Sequence, residues 1–364
     1  MKLRQLDLFS GIGGFHLGFE KAGFEIESYF SEIDKYAIEV YKQNFKSSKY
    51  VGSVTNIQSK DLPKIDLITF GSPCQDFSMA GKRKGMQGNR SSLISEAIRL
   101  ISECKPRIFI WENVKGTFSS NNGEDFWAII QAFANIGGYR LEWQLLNTSW
   151  FLPQNRERVY LVGLLGEGSG KQIFPLTKSI KRNREKQFPR KATNKNKFSL
   201  QDIEDRGGCS LFQSGGLKVN SGVKQGYETA KPGDSVNLSH PRSETKRGRV
   251  GTQQSQTLDT GCNMAVVQPT QLGNSETFGN YSKDNGKDAF TIRSSNPNGV
   301  ALDSKIRRLT PIECERLQGF PDDWTKNGVE GLISDSQRYK MCGNAVTVDV
   351  VESIANKYKT LYYE

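Results

Sequence analysis

The chain has 364 residues, 36% hydrophobic and 24% charged, and its 50 Lys and Arg against 39 Asp and Glu leave a formal net charge of +11. That length supports a full core and a second domain, no apolar run approaches a membrane span, and the charge-broken start Met1-Lys2-Leu3-Arg4 does not read as a signal peptide. Six cysteines without a Cys-x-x-Cys pair argue against zinc or a disulfide framework and for a reducing cytoplasm, and with only His16 and His240 a Cys-His or Ser-His hydrolase is disfavoured.

In chain order, residues 1–165 alternate strand and helix. Leu6–Phe9 reads as a strand, followed by the turn Gly11-Ile12-Gly13-Gly14 and a helix from Phe15 to Ala22 that Gly23 ends. Glycines there let the backbone approach a ligand closely at a helix N-terminus. Glu25–Phe30 is a second strand, closed by Glu32, 21 residues after Gly11. An acid at that distance commonly accepts from ribose hydroxyls, so the pair points to an adenosine-containing cofactor. A Walker-type lysine is missing, which disfavours a nucleoside triphosphate. A helix is predicted from Lys35 to Phe45 and a third strand from Ile65 to Phe70.

Behind that strand stands Gly71-Ser72-Pro73-Cys74-Gln75. Open α/β sheets place their chemistry at the carboxyl ends of strands, and a nucleophilic thiolate needs an electropositive, partly exposed position. Lys82, Arg83 and Lys84 in the following loop supply that charge. Helices at Ser91–Ser102 and Phe126–Ile136 and strands at Arg107–Trp111, Leu141–Leu146 and Val159–Leu164 complete the series. The alternation predicts a mostly parallel, doubly wound sheet. Glu112, at the end of its strand, reaches the same sheet edge as Cys74 and suits proton transfer to a heteroaromatic ring. In Gln154-Asn155-Arg156-Glu157-Arg158 a period of two puts Gln154, Arg156 and Arg158 on one face, where guanidiniums can hold an anion or a phosphate.

From about Gly166 the chain becomes rich in Gly, Ser, Asn, Gln and Lys, with short strand-like pieces at Ala265–Val267 and Ala289–Ile292 and a thin candidate core of Phe212, Leu217, Val219, Leu258 and Phe278. Residues 171–305 carry 22 basic against 12 acidic residues, nearly the whole excess of the chain, the footprint of a polyanionic partner. Helical periodicity returns near Ile306, with Thr310 and Glu313 in a capping-box pattern, and a last amphipathic helix is predicted from Val346 to Tyr362. The expected division is a first catalytic part at 1–165, a recognition insert at 166–305 and a catalytic return at 306–364.

Eight blocks now stand in one order: DLFSGIGGF, SEIDKYA, GSPCQDFS, NRSSL, WENV, QNRERVYLVG, RRLTPIECERLQGFPDDW and GNAV. In these the chain resembles the DNA (cytosine-5) methyltransferases of bacterial or phage type, over about 210 residues. The resemblance implies the α/β S-adenosylmethionine-dependent methyltransferase fold with a smaller, loop-rich, partly β target-recognition domain. It implies S-adenosyl-L-methionine as cofactor and S-adenosyl-L-homocysteine as product, without a metal. Phe9, Gly11, Ile12 and Gly13 would line the cofactor pocket, with Glu32 on the ribose, Ile33 against the adenine and Asn344 in contact. Gly52-Ser53-Val54 stands where the family often has an acid for the adenine amino group, leaving Ser53, Asp66 or a backbone group for that contact.

The resemblance further implies that Cys74 adds to carbon 6 of a flipped-out cytosine in double-stranded DNA, with Glu112 at ring nitrogen 3. Arg158 would hold the carbonyl oxygen, with Arg156 supporting it or reaching a phosphate, and Gln154 is counted with them in the catalytic set. Residues 75–90 resemble the family's mobile loop, so Gln75, Ser78, Lys82, Arg83, Lys84 and Arg90 are expected on DNA. Thr257-Leu258 matches the Thr-Leu pair of such recognition domains, with Thr291-Ile292 as a competitor. The expected partner is duplex DNA, for a functional monomer in the cytoplasm with or without a cognate restriction endonuclease. A tRNA cytosine-5 methyltransferase is the alternative enzyme; the large basic insert favours DNA. A catalytically silent DNA-binding protein is disfavoured because Cys74, Glu112, Gln154, Arg156 and Arg158 are all present.

Overall fold

The computed structural model describes residues 1–71, 91–166, 171–177 and 304–363, and, between the last two, 209–213, 216–231, 234–237, 249–252, 254–258, 260, 264–269, 282–283 and 288–289. Eight strands, β1 (Lys2–Leu8), β2 (Glu25–Ser31), β3 (Lys49–Tyr50), β4 (Leu67–Gly71), β5 (Ile108–Val114), β6 (Tyr139–Asn147), β7 (Gln154–Asn155) and β8 (Glu157–Leu165), alternate with four helices. These are α1 (Gly14–Lys21), α2 (Lys35–Asn44), α3 (Ser91–Cys104) and α4 (Glu124–Ala134). All the strands but β7 form one sheet in the order β3-β2-β1-β4-β5-β8-β6, parallel except for β8, which runs antiparallel to both neighbours.

The central strands are apolar on both faces because both faces are covered. Along β4 and β5 the side chains alternate between two cores. Leu67, Ile108 and Ile110 pack with Phe19, Val351 and Ile354 on one side. Ile68, Phe70, Phe109 and Trp111 pack with Ile101, Ile129 and Phe133 on the other. The chain leaves β1 toward one edge of the sheet and re-enters at β4 on its other side, so the order reverses between these neighbours. Their register, Leu8 opposite Phe70, brings the turn after β1 and the segment after β4 out at one topological switch point.

Three C-terminal helices, α5 (Pro311–Leu317), α6 (Asp335–Asn344) and α7 (Val348–Tyr362), return to this unit. The Thr310 and Glu313 capping box is formed. Helix α7 lies against α1 at backbone distance: a Cβ on Gly18 would stand 2.5 Å from Val351 Cγ1, and one on Gly14 2.6 Å from Val346 Cγ1. Only glycine permits this approach, so the C-terminal return onto the first domain is written into α1.

The described parts of the insert are β-structured. Cys209–Gln213, Gly216–Asn220 and Tyr227–Ala230 make an antiparallel sheet, and Val250–Gly251, Ser235–Asn237, Met264–Pro269 and Ser304–Arg308 make another. Residues 304–308 therefore continue the insert's sheet, and the helical return begins at Pro311, later than the change expected near Ile306. Of the expected thin core, Val219 is buried within the insert, whereas Leu258 packs on Leu309, Cys314, Leu317, Tyr339 and Cys342. The side chains of Phe212 and Leu217, with Phe278 and Thr291-Ile292, lie outside the described residues.

Beneath the switch point runs a buried polar chain. Gln5 Nε2 donates to Thr69 Oγ1 at 2.7 Å, Thr69 Oγ1 donates to Asp7 Oδ1 at 2.7 Å, and the Tyr41 hydroxyl donates to Asp7 Oδ2 at 3.3 Å. Ser28 Oγ and His16 Nδ1 stand 2.8 and 3.0 Å from the same hydroxyl. Complete burial pushes the Asp7 carboxyl up to about 8 against an ordinary 3.8, with the nearby Glu32 charge adding to the shift. Between those values the folded protein holds a proton that the unfolded chain has lost, so raising the pH favours unfolding. The contribution is fully present below pH 4 and is lost as the pH rises through 8. Asp7→Asn keeps the shape without the ionisation. Its Tm difference from the parent is therefore expected to move in the variant's favour as the pH rises from 5 to 8.5; an offset independent of pH would contradict the assignment.

Candidate active site

The turn after β1 takes unusual backbone angles. Phe9 and Gly11 have φ of 52° and 53°, and a Cβ on Gly11 would meet nothing within 4 Å, so the loop presents open space above its backbone. Glu32, one residue past β2, faces this loop: its Oε2 accepts from the Gly11 N–H at 2.8 Å, and its Oε1 accepts from the Ile33 and Asp34 N–H groups at 2.7 and 3.0 Å. With a single bond from this set, Oε2 keeps a lone pair for a hydroxyl donor. Ile33, 80% exposed, supplies an apolar face beside it, and Ser10 Oγ is buried without a partner. An apolar face, a free carboxylate lone pair and an open glycine turn suit a nucleoside such as that of S-adenosylmethionine.

Ile12 differs from expectation. Its side chain is 1% exposed and packs with Leu17, Phe30, Tyr41, Phe45 and Phe320, so only its backbone faces the loop. Trp324 Nε1 donates to the Ile12 carbonyl at 3.0 Å and clamps the turn from the C-terminal side. Gly13, with φ of 85°, could not carry a side chain without striking the Phe45 ring. Asn344 is exposed at the end of α6. Of the alternatives for the adenine amino group, Asp66 is ruled out: it precedes β4, at the opposite edge of the sheet, where its Oδ2 accepts from the Arg4 N–H at 3.0 Å. Ser53 stays on the correct side, its Oγ 3.0 Å from Thr55 Oγ1.

At the next position along the carboxyl edge, Gly71 pairs with Glu112 across β4 and β5. Glu112 Oε1 lies 3.2 Å from Arg158 Nε, both side chains being about seven-eighths buried. The angle leaves that oxygen without a hydrogen bond, so this ion pair holds a carboxylate with unused accepting capacity. Arg158 Nη1 donates to the Glu157 carbonyl at 2.8 Å. Cys74 follows Gly71 by three residues and lies outside the described residues, as do Gln75, Ser78, Lys82, Arg83, Lys84 and Arg90.

The expected set of Gln154, Arg156 and Arg158 divides. Arg156 is 3% exposed, and its Nη1 and Nη2 donate to the carbonyls of Gly343 and Ala345 at 3.3 and 2.9 Å. A phosphate cannot reach it, which corrects that part of the expectation; it ties the GNAV block, and with it Asn344, to the sheet. Gln154 is fully buried, and neither amide atom has a partner. Such a group is costly to leave unpaired, by about 1–3 kcal/mol, which makes it a candidate for contacts with a ligand.

A cavity of about 350 Å³ opens beside Arg158, lined on the sheet side by Val114, Lys115, Asn155 and Glu157 and on the insert side by Asn237, Gln256 and Thr257. The insert reaches it through a two-residue parallel ladder between Ser255–Gln256 and β7, and Thr257 Oγ1 donates to the Asn155 carbonyl at 2.7 Å. Thr257 thus lines the cavity beside Arg158, while Leu258 is 2% exposed and acts as its apolar anchor. Asn237 and Gln256 went unnoticed in the sequence, since no motif marks them. Among the described residues no group of three His, Cys, Asp or Glu stands together, and no helix is long and apolar enough to cross a membrane.

The same arrangement has recognisable relatives. The model of the C-5 cytosine-specific DNA methylase family matches residues 3–360. The orphan methyltransferase M.SPRI of Bacillus phage SPR is 31% identical, covering 97% of this chain and 96% of its own. The type II methyltransferase M.Bsp6I of Bacillus sp. (strain RFL6) is 32% identical, covering 99% of each. Among solved structures, the Entamoeba histolytica methyltransferase EhMeth superposes over 100% of both chains with a TM-score of 0.67 at 17% identity, a likeness of fold. With the Gly-rich turn, the Glu112–Arg158 pair and the C-terminal return all in the order that this family model spans, the chain belongs to the C-5 cytosine-specific DNA methylases, enzymes that are DNA (cytosine-5) methyltransferases.

Proposed function

We propose that this enzyme methylates carbon 5 of a cytosine turned out of double-stranded DNA, through a transient covalent bond to Cys74. The observation that carries the reading is the largely buried Glu112–Arg158 pair near the carboxyl end of β5 and at the amino end of the antiparallel β8, with Glu112 level with Gly71, three residues before Cys74 in sequence. S-adenosylmethionine, when bound at the Gly11–Glu32 turn, supplies an electrophilic methyl group.

The chain's own residues make the ring able to accept it. The Cys74 thiolate adds to carbon 6, which breaks the 5,6 double bond and places electron density on carbon 5. The charge formed runs into ring nitrogen 3, where the protonated Glu112 carboxyl donates its O–H proton or a hydrogen bond. Arg158 holds the carbonyl oxygen and keeps Glu112 oriented. After methylation water or hydroxide from solvent takes the proton on carbon 5, carbon 6 expels the Cys74 thiolate as the 5,6 double bond re-forms, ring nitrogen 3 returns its proton to Glu112, and aromaticity returns. Gln154 lies close by in sequence with an unpaired amide suited to the base or its sugar. Arg156 acts at one remove, by fixing the GNAV block.

The target is out of reach inside a duplex and must be extruded, at a cost of about a few kcal/mol. Lys82, Arg83, Lys84 and Arg90, with Gln75 and Ser78, are suited to close over it and to contact phosphates. Thr257, fixed on the Asn155 carbonyl, approaches the same cleft from the insert. The protein acts as a monomer in the cytoplasm, as the partner of a restriction endonuclease or without one.

The test is a duplex carrying 5-fluorocytosine at the target position, with S-adenosylmethionine present. Fluorine cannot leave as a proton does, so a denaturation-resistant adduct should accumulate, and peptide mapping should place it on Cys74. Turnover of unmodified DNA without any trapped adduct would remove the covalent step.

A further inference from the structure

Beside Thr257, the insert presents Asn237 and Gln256 to the cavity that Arg158 lines. Both are partly exposed, and both backbones are fixed from behind. Arg249 has no exposed surface, and its Nε and Nη2 donate to the Asn237 carbonyl at 3.2 and 2.7 Å, while the Asn237 N–H donates to the Arg249 carbonyl at 2.9 Å. A buried guanidinium is costly unless its donors are used, so it holds Asn237 firmly in place. Gln256 is in register with Asn155, and the preceding Ser255 N–H donates to the Pro153 carbonyl at 2.8 Å. The Gln256 side chain makes a long contact, Nε2 to the Val250 carbonyl at 3.4 Å, which is easily exchanged.

The opposite wall carries the charges: Lys115 paired with Glu157 at 2.9 Å, and Arg158. A primary amide donates and accepts in one plane, which matches a base edge; Asn and Gln pair with adenine through N6 and N7. We infer that Asn237 and Gln256 are specificity-determining residues that read the base pairs next to the target cytosine. The inference rests on the DNA methylation proposed above and deepens it by naming two residues that choose the site.

The parent protein, Asn237→Ala and Gln256→Ala are each expressed in a methylation-free host, and 5-methylcytosine is mapped across the genome. At least one variant is expected to methylate a relaxed sequence, with discrimination at one position lowered about tenfold to a hundredfold. Asn237→Asp, which keeps the shape and removes the donors, replaces the alanine variant if that protein does not accumulate. An unchanged pattern in all the variants overturns the inference, and so does a uniform drop at every site, which would make these residues scaffold alone. A parent map empty of 5-methylcytosine overturns the underlying reading as well, so the two failures are distinguishable.

Discussion

Cys74→Ala is expected to lower methyl transfer by more than about 10⁴-fold, as loss of a nucleophile does in enzymes whose chemistry passes through it. DNA binding should survive, because affinity for a duplex comes mainly from phosphate contacts, and the basic residues of the loop and insert are untouched. Single-turnover methylation with labelled cofactor measures the first quantity and a mobility shift the second. Substantial methylation by the variant would refute the covalent mechanism. Loss of DNA binding together with activity would instead point to a damaged loop.

The second large effect is expected at Glu112. Gln keeps the length and planarity of the side chain but cannot deliver a proton to ring nitrogen 3, so Glu112→Gln should lower kcat by about 10²–10⁴-fold. The KM for DNA should change far less, since in the proposed mechanism the residue meets only the extruded base. Arg158 stands 3.2 Å from Glu112 and both are largely buried, so this variant also leaves the guanidinium without its counter-charge. A thermal melt separates the two consequences: a lost ion pair lowers Tm, whereas a lost proton donor lowers kcat. Unchanged kcat would take Glu112 out of the chemistry, and a fall in kcat that merely tracked lost folded protein would make the pair structural.

The positions of the proposed catalytic and cofactor residues on the sheet were legible because they sit in short contiguous blocks near the ends of recognisable strands. Glu112 stands two residues before the end of β5, Glu32 follows β2 and Gly11 follows β1, with the strand ends within two or three residues of those read from the sequence. Errors arose where the deciding contact is long-range. Asp66 looked available until the sheet placed it at the far edge, on the Arg4 N–H. Arg156 looked like a phosphate ligand until the carbonyls of Gly343 and Ala345, nearly 190 positions away, claimed it. Helix α6 was missed because its buried side includes Arg338, whose guanidinium is satisfied by Glu315 and Thr325, so no apolar stripe marks it.

The sequence alone determined the fold class and the family, and it placed the glycine turn, Glu32 and Glu112 on the strands where the structure has them. Local periodicity sets each strand and helix, and strand ends carry the chemistry. The tertiary structure alone decided which polar groups of the insert meet the catalytic edge. Asn237, Gln256 and Thr257 come from segments of two to five residues whose placement depends on a ladder to β7, a buried Arg249 and the Leu258 anchor. A contact such as Thr257 to Asn155 joins residues about 100 positions apart and leaves no periodic trace, so the residues proposed to choose the DNA sequence appear only once the chain is folded.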